Sequence, residues 1–222
     1  VTDPSNNTST ATSIVTVIDT ISPVAQAQDI TVQLDANGQA IISSSDIDNG
    51  STDNCTSPTL TLDKTSFDCN DLGTNTVTLT STDPANNSSS ATAIVTVEDN
   101  TAPSAISQDI TVYLDANGQA NITTSDIDNG SSDNCSISSM TLDQTSFTCS
   151  DAGQNTVTLT VTDGSNNVST STAVVTVLDT TSPNAIAQDI SLYLDANGQA
   201  TITTSDIDNG SSDNCSALTS LS

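Results

Sequence analysis

The sequence has no histidine, no tryptophan and a single basic residue, Lys64, against 27 acidic residues. A chain without histidine cannot form a Ser-His-Asp or Cys-His catalytic group, or a zinc site that uses histidine. The formal charge of −26 also excludes two classes of partner, because nucleic acids and anionic membrane surfaces attract lysine and arginine. We therefore predict that the protein is not an enzyme and that it binds neither nucleic acid nor membrane.

Long apolar segments are absent as well. No run approaches the ~20 apolar residues that span a membrane, and residues 1–7 lack the charged and apolar regions of a signal peptide. We expect any export signal or anchor to lie outside these residues, and no membrane insertion within them. The apolar residues that are present alternate with polar ones, which is typical of half-buried strands.

A long repeat organises the chain. The heptapeptide Leu-Asp-Ala-Asn-Gly-Gln-Ala begins at Leu34, Leu114 and Leu194, so the period is eighty positions. A proline also recurs at one fixed position of the repeat, which we call its phase. Taking the prolines as junctions predicts four segments: the C-terminal part of a repeat at 1–22, complete repeats at 23–102 and 103–182, and the N-terminal half of a repeat at 183–222. A repeat of this length is enough for a small independent domain.

Alternation within a repeat predicts short strands, for example over residues 30–34 and 93–97. The pair Asn37-Gly38 predicts a type I′ hairpin turn, and residues 83–87 predict a second turn. One helical turn is predicted over residues 45–50, with Ser45 as its cap. These elements together predict an all-β fold of tandem immunoglobulin-like antiparallel β-sandwich repeats.

The five cysteines lie at two phases of the repeat, and the two phases are fourteen positions apart. Their spacing favours local disulfides, Cys55 with Cys69 and Cys135 with Cys149, each worth about 3 kcal/mol by loop entropy. The partner of Cys215 is then expected just beyond the last residue. Paired cysteines in every repeat are typical of an oxidising, extracellular compartment.

Aspartate and asparagine concentrate in the loops, where they offer the oxygen ligands that calcium prefers. The stretch from Asp46 to Asp53 holds three carboxylates, and Asp19 has the phase of Asp99 and Asp179 at the junctions. The candidate calcium ligands are Asp46, Asp48, Asp53, Asp83, Asn86, Asp99, Asp126, Asp128, Asp133, Asp163, Asp179, Asp206, Asp208 and Asp213. The alternative is that these residues only form turns and caps and keep a long surface chain soluble.

Several stretches resemble known repeats. Residues 15–23 (Val-Thr-Val-Ile-Asp-Thr-Ile-Ser-Pro) and 82–87 (Thr-Asp-Pro-Ala-Asn-Asn) resemble the hyalin-type repeat of extracellular proteins. Residues 114–135 resemble repeats of giant surface adhesins of Bacteroidetes, including the large gliding adhesin of that group. The resemblance covers essentially the whole chain. It implies an immunoglobulin-like sandwich, export by the type IX secretion system, and a surface filament in adhesion or gliding motility.

Residues and resemblance together predict an extended filament or stalk at the cell surface. Proline at each junction restricts bending, and the like charges repel one another. The expected partners are neighbouring repeats of the same chain and, beyond them, surface polysaccharide, other cells or a solid substratum. Two alternatives stay open: a passive spacer in a secreted enzyme, and calcium-dependent carbohydrate binding by each repeat.

Overall fold

The computed structural model describes residues 1–215, so the end of the predicted segment 183–222 lies outside the described residues. The chain divides into two compact units, Val1–Asp99 and the residues from Asn100 onward. The junctions placed at the three prolines stay predictions. Among residues 1–215, no helix has the length and apolar character needed to cross a membrane.

The first unit is built from four short strands, two long strands and two short helical turns. In chain order these are β1 (Ile30–Gln33), β2 (Gln39–Ile41), α1 (Ser44–Ile47), β3 (Thr59–Leu62), β4 (Ser66–Asp68), a 3-10 turn (Cys69–Asp71), β5 (Gly73–Thr82) and β6 (Ser88–Glu98). One sheet has the order β1-β6-β5-β3, and the other pairs β2 with β4. The two sheets form the predicted sandwich.

The second unit repeats this arrangement one period later in the sequence. Its elements are β7 (Ile110–Tyr113), β8 (Gln119–Asn121), α2 (Thr124–Ile127), β9 (Ile137–Leu142), β10 (Ser146–Thr148), a 3-10 turn (Cys149–Asp151), β11 (Gly153–Asp163), β12 (Val168–Leu178) and α3 (Thr204–Ile207). The sheets have the orders β7-β12-β11-β9 and β10-β8. The all-β prediction is confirmed.

The core of each sandwich comes from the period-two alternation of its long strands. In the second unit Val157, Leu159 and Val161 of β11 are fully buried, while the threonines between them are only half-buried. They pack in one cluster with Ile127 of α2 and Phe147 of β10. The apolar pattern therefore determines which face of the large sheet is covered.

Three local predictions need correction. β1 pairs with β6 in parallel, so the large sheet is not purely antiparallel. The Asn37-Gly38 turn is not type I′, because only Gly38 has a positive φ. The two strands that this turn connects, β1 and β2, do not form a hairpin, since they belong to different sheets. The cap of α1 is Ser43, which forms a capping box with Asp46 and precedes the predicted cap, Ser45.

Candidate metal centre

The loop that follows α1 positions Asp53. Val24 and Thr52 exchange two backbone hydrogen bonds, of 2.7 and 3.1 Å, which hold the chain just before Asp53. Its Oδ2 atom accepts a hydrogen bond from the backbone N–H of Cys55 at 3.0 Å. Its Oδ1 atom is buried and has no hydrogen-bond partner. A buried, unpaired carboxylate oxygen is costly unless a cation or donor satisfies it.

The turn between β5 and β6 positions a second carboxylate, Asp83, which is only 3% exposed. Both of its oxygens accept hydrogen bonds from Asn87, from the backbone N–H at 2.7 Å and from Nδ2 at 2.8 Å. Asn87 Nδ2 also donates to the backbone oxygen of Asp19 at 3.2 Å. Asn87 therefore links the turn to the segment that enters the repeat.

Ligand atoms of Asp19, Asp53 and Cys55 all lie within 4.8 Å of one another. The pKa of the Cys55 thiol is raised by its hydrogen bond to Asp19, by partial desolvation, and by the negative charges of Asp19, Asp53 and Asp83. The thiol thus experiences the field of three carboxylates. Such a field favours a bound cation and disfavours any further negative charge.

The second unit carries the equivalent pair. Oxygens of Asp133 and Asp163 lie within 4.8 Å of each other, and Asp163 is 1% exposed. Asp133 Oδ1 is buried without a hydrogen-bond partner, as in Asp53. In the repeat, Asp99 and Asp179 have the phase of Asp19.

Other predicted ligands are used as caps and turns. Asp126 accepts two hydrogen bonds of 2.7 Å from the N–H and hydroxyl of Thr123 at the start of α2. Asp128 accepts one of 3.0 Å from the N–H of Ser131. The same bonds are made by Asp46, Asp48, Asp206 and Asp208. For these six residues the structure fits the turn-forming alternative.

Three further candidates, Asn86, Asp179 and Asp213, lie in turns and loops. Asn86 has a positive φ of 68° and shapes the β5–β6 turn with its backbone. Asp179 Oδ1 accepts hydrogen bonds from the N–H of Thr181 at 3.0 Å and from Asn214 Nδ2 at 3.4 Å. Asp213 Oδ2 accepts one from the N–H of Cys215 at 3.1 Å, as Asp53 and Asp133 do at the same phase.

Acid is expected to destabilise the capped turns. The hydrogen bonds from the Thr123 side chain and backbone lower the pKa of Asp126 below its ordinary value of 3.8, and Asp46 and Asp206 are lowered in the same way by Ser43 and Thr203. A carboxyl with a lowered folded-state pKa stabilises the fold fully above the unfolded value, and this stabilisation is lost as the pH falls through the folded pKa.

Thermal unfolding followed by circular dichroism between pH 6 and pH 2.5, in ~0.5 M salt to screen self-repulsion, measures this effect. The midpoint should fall steadily below about pH 4. The variant Asp126→Asn should show a smaller fall, whereas Asp189→Asn, at an exposed position, should behave like the parent. A midpoint that rises on acidification would contradict the assignment of these aspartates as caps.

Both predicted local disulfides are wrong, Cys55 with Cys69 as well as Cys135 with Cys149. Cys149 is bonded to Cys215, so the partner of Cys215 lies within the chain and Cys149 is not available to Cys135. Cys55 is free and exposed, whereas Cys69 and Cys135 are disulfide-bonded. β9 pairs with β11 in the large sheet and β10 pairs with β8 in the small one, so the chain between Cys135 and Cys149 passes from one sheet to the other. The short spacing in sequence does not show this separation in space.

No protein-family model and no curated protein matches the sequence. Among solved structures, Drosophila N-cadherin EC1-4 matches at 14% identity and a TM-score of 0.40, over 71% of this chain and 50% of that one. Protocadherin gamma B7 extracellular domains 1-4 match at 15% identity and a TM-score of 0.33, over 77% of this chain and 54% of that one. Human mucin-like protocadherin EC1-2 matches at 11% identity and a TM-score of 0.37, over 71% of this chain and 98% of that one.

The chain therefore spans about half the length of the first two of these structures. All three are extracellular cadherin domains. At these identities and TM-scores, function has to be argued from the residues of this chain.

Proposed function

We propose that this chain is part of an extended extracellular array of β-sandwich repeats that acts as a filament or stalk in adhesion. The observation that carries the proposal is the recurrence of one folded unit, first as β1–β6 and then as β7–β12, with the same acidic loops, at the interval that separates Leu34 from Leu114 and Leu114 from Leu194 in the sequence. Repetition of one domain extends the reach of a chain without adding a new active site. The strongly negative surface keeps such an array soluble and disfavours collapse.

The more specific identity of the array rests on the resemblance to hyalin-type repeats of Bacteroidetes adhesins. It supports a cell-surface location, export by the type IX system and a role in gliding motility. The disulfide-bonded cysteines favour the same extracellular environment. Surface polysaccharide, other cells and a solid substratum are the partners that we propose for the array.

We further propose that calcium binds at the entrance of each repeat. The carboxylate oxygens of Asp19 and Asp53 are the kind of ligand that this ion prefers, whereas the Cys55 thiol of the same cluster is not a calcium ligand. Asp53 and Asp83 would hold the ion in the first complete repeat, together with Asp19. Asp133 and Asp163 are their counterparts, with Asp99 in the place of Asp19 by the repeat period.

The buried Oδ1 atoms of Asp53 and Asp133 are the specific support for this assignment. Each lacks a hydrogen-bond donor, although its partner oxygen accepts backbone N–H groups. A bound cation would satisfy these oxygens and neutralise part of the charge of the neighbouring carboxylates. Calcium would thereby connect three parts of a repeat: the loop after the helical turn, the turn between the two long strands, and the segment before the junction proline.

Titration calorimetry of the metal-free, oxidised chain with calcium chloride tests the assignment. We expect heat of binding with calcium and much less with magnesium, which prefers to keep its water ligands. Asp133→Asn should remove one class of sites, because an amide can replace the hydrogen-bonded Oδ2 but not the charge. Asp189→Asn removes the same charge at an exposed position, and it should bind calcium like the parent.

Small-angle scattering of the same chain tests the filament. In calcium, we expect a maximum dimension well above that of one sandwich, and greater flexibility after chelation. A compact particle under both conditions would contradict the stalk. An extended particle that does not respond to chelation, together with no heat of binding, would contradict only the calcium sites.

A further inference from the structure

The disulfide between Cys149 and Cys215 joins two successive repeats. Cys149 begins the 3-10 turn Cys149–Asp151 after β10, whereas Cys215 belongs to the segment after Pro183. The two residues are 66 positions apart, and their Cα atoms are 5.0 Å apart. The bond closes a loop that contains β11, β12 and α3.

A polar contact accompanies the bond. The side chain of Asn214 donates from Nδ2 to the backbone oxygen of Asp115 at 3.0 Å and to Asp179 Oδ1 at 3.4 Å. Asp115 begins the turn of the Leu-Asp-Ala-Asn-Gly-Gln-Ala motif, closed by the bond from Gly118 N–H to its backbone oxygen at 2.9 Å. The loop that carries Cys215 therefore docks on this turn of the preceding repeat.

The lack of a side chain at Gly118 allows the loop that carries Cys215 to lie this close to the turn. Its φ is +71°, and a Cβ atom added there would collide with Cys149 Sγ and lie 3.0 Å from the backbone oxygen of Asn214. Gly198 occupies the same turn one repeat later, has a φ of +72°, and an added Cβ there would meet no atom within 4 Å. The two glycines share one backbone conformation and differ in whether a following loop is docked on them.

The docking residues recur with the repeat. Cys69 and Cys135 have the same separation and phase as Cys149 and Cys215, and both are disulfide-bonded. We propose that one disulfide links each repeat of the array to the next, pairing Cys69 with Cys135 and Cys149 with Cys215, so that the bonds carry tension past most of each folded repeat. Cys55 has the phase of Cys135 and Cys215, and it is the free thiol of this chain.

Forming each bond removes two electrons and two protons from two thiols. A small-molecule or protein disulfide of the oxidising compartment accepts them by thiol–disulfide exchange and leaves as two thiols. The proposal does not depend on calcium or on an adhesive role, because the bonds are properties of the chain itself.

The mechanical consequence follows from the order of the bonds. A pulling force enters a repeat at its first cysteine, such as Cys135, follows the short segment to the second, Cys149, and then crosses the bond to the next repeat. The chain between Cys149 and Cys215 forms a closed loop that bears no pulling force, because the disulfide holds its two ends together. Such an array cannot be pulled out to its full contour length while its bonds are intact, even if its sandwiches unfold.

Peptide mapping of the full chain tests the pairing. The chain is oxidised in a glutathione buffer, alkylated in denaturant and cut before aspartate, which separates the five cysteines into peptides 53–62, 68–70, 133–142, 143–150 and 213–222. We expect 68–70 joined to 133–142, 143–150 joined to 213–222, and the alkyl group on Cys55. Local pairs, with the alkyl group on Cys215, would overturn the proposal.

The two glycines provide a matched pair of variants. Gly118→Ala should lower the equilibrium constant for forming the Cys149–Cys215 bond in a glutathione buffer by about tenfold, as overpacking of a tight contact does. Gly198→Ala carries the same penalty of a positive φ and should leave that constant unchanged. Equal constants for the two variants would show that the bond forms without the docked arrangement.

Stretching single chains by their ends measures the load path. Reduction should lengthen the fully extended chain by about 460 Å, since two loops, each with a cysteine separation of 66, are released at about 3.5 Å per residue. Local pairs would release only two much shorter loops, about 100 Å in total. A gain near the smaller value would overturn the proposal.

Discussion

Replacing Phe147 with alanine is expected to lower the free energy of unfolding of the second unit by about 3–5 kcal/mol. Phe147 is 0% exposed and is the single aromatic residue of its core cluster. A sandwich of this size has few large side chains, so the cavity cannot be filled by rearrangement of its neighbours. Total stabilities of small domains are about 5–15 kcal/mol, so the loss is a large part of the whole.

Urea unfolding of the oxidised chain, followed by circular dichroism, measures this effect. Phe147→Leu keeps most of the apolar volume and should cost about half as much or less. Tyr113→Ala removes an aromatic ring that is 60% exposed and should change the stability by about 0.5 kcal/mol or less. If the Phe147 and Tyr113 variants were equally stable, the assignment of the core to this face of the sandwich would be wrong.

Replacing Asp163 with alanine is expected to cost about 2–4 kcal/mol, in chelator and therefore independently of calcium. The buried carboxylate accepts hydrogen bonds from the N–H groups of Ser165 and Asn167 at 2.9 and 2.7 Å, and from Asn167 Nδ2 at 2.7 Å. Alanine would leave these donors without their acceptor in the turn between β11 and β12.

Asp163→Asn separates charge from hydrogen bonding. Its amide oxygen can still accept the two N–H groups, but its NH2 group would face Asn167 Nδ2, donor against donor, so we expect an intermediate loss. Asp189→Ala, at an exposed position, serves as the control and should be neutral. A neutral Asp163→Ala variant would mean that the turn does not depend on this carboxylate.

Alternation of apolar and polar residues predicts several of the strands, among them β1 and β6. Residues 93–97 alternate, and Ala93, Val95 and Val97 are indeed the buried positions of β6. Pairing partners were harder to predict, because a period of two determines which face is buried but not which strand lies alongside. The parallel pairing of β1 with β6 depends on contacts such as Ile30 with Val95, whose partners are far apart in sequence.

The roles of the candidate calcium ligands were also not predictable from sequence pattern. Asp46 and Asp53 are both acidic loop residues of the same repeat, and composition alone treats them alike. In the structure, Asp46 caps α1, whereas Asp53 keeps a buried oxygen without a donor. Only the local hydrogen bonds distinguish a carboxylate that completes a turn from one that is available to a cation.

The repeat and its period, the all-β class, the absence of histidine chemistry and the strongly anionic surface can all be read from the sequence alone. These properties depend on composition and on periodicity along the chain, which need no knowledge of distant contacts. The partner of Cys149 and the grouping of Asp53 with Asp19 become visible only in the folded structure. Both depend on which loops meet in space, because loop entropy favours near neighbours while strand length and sheet pairing carry those neighbours apart.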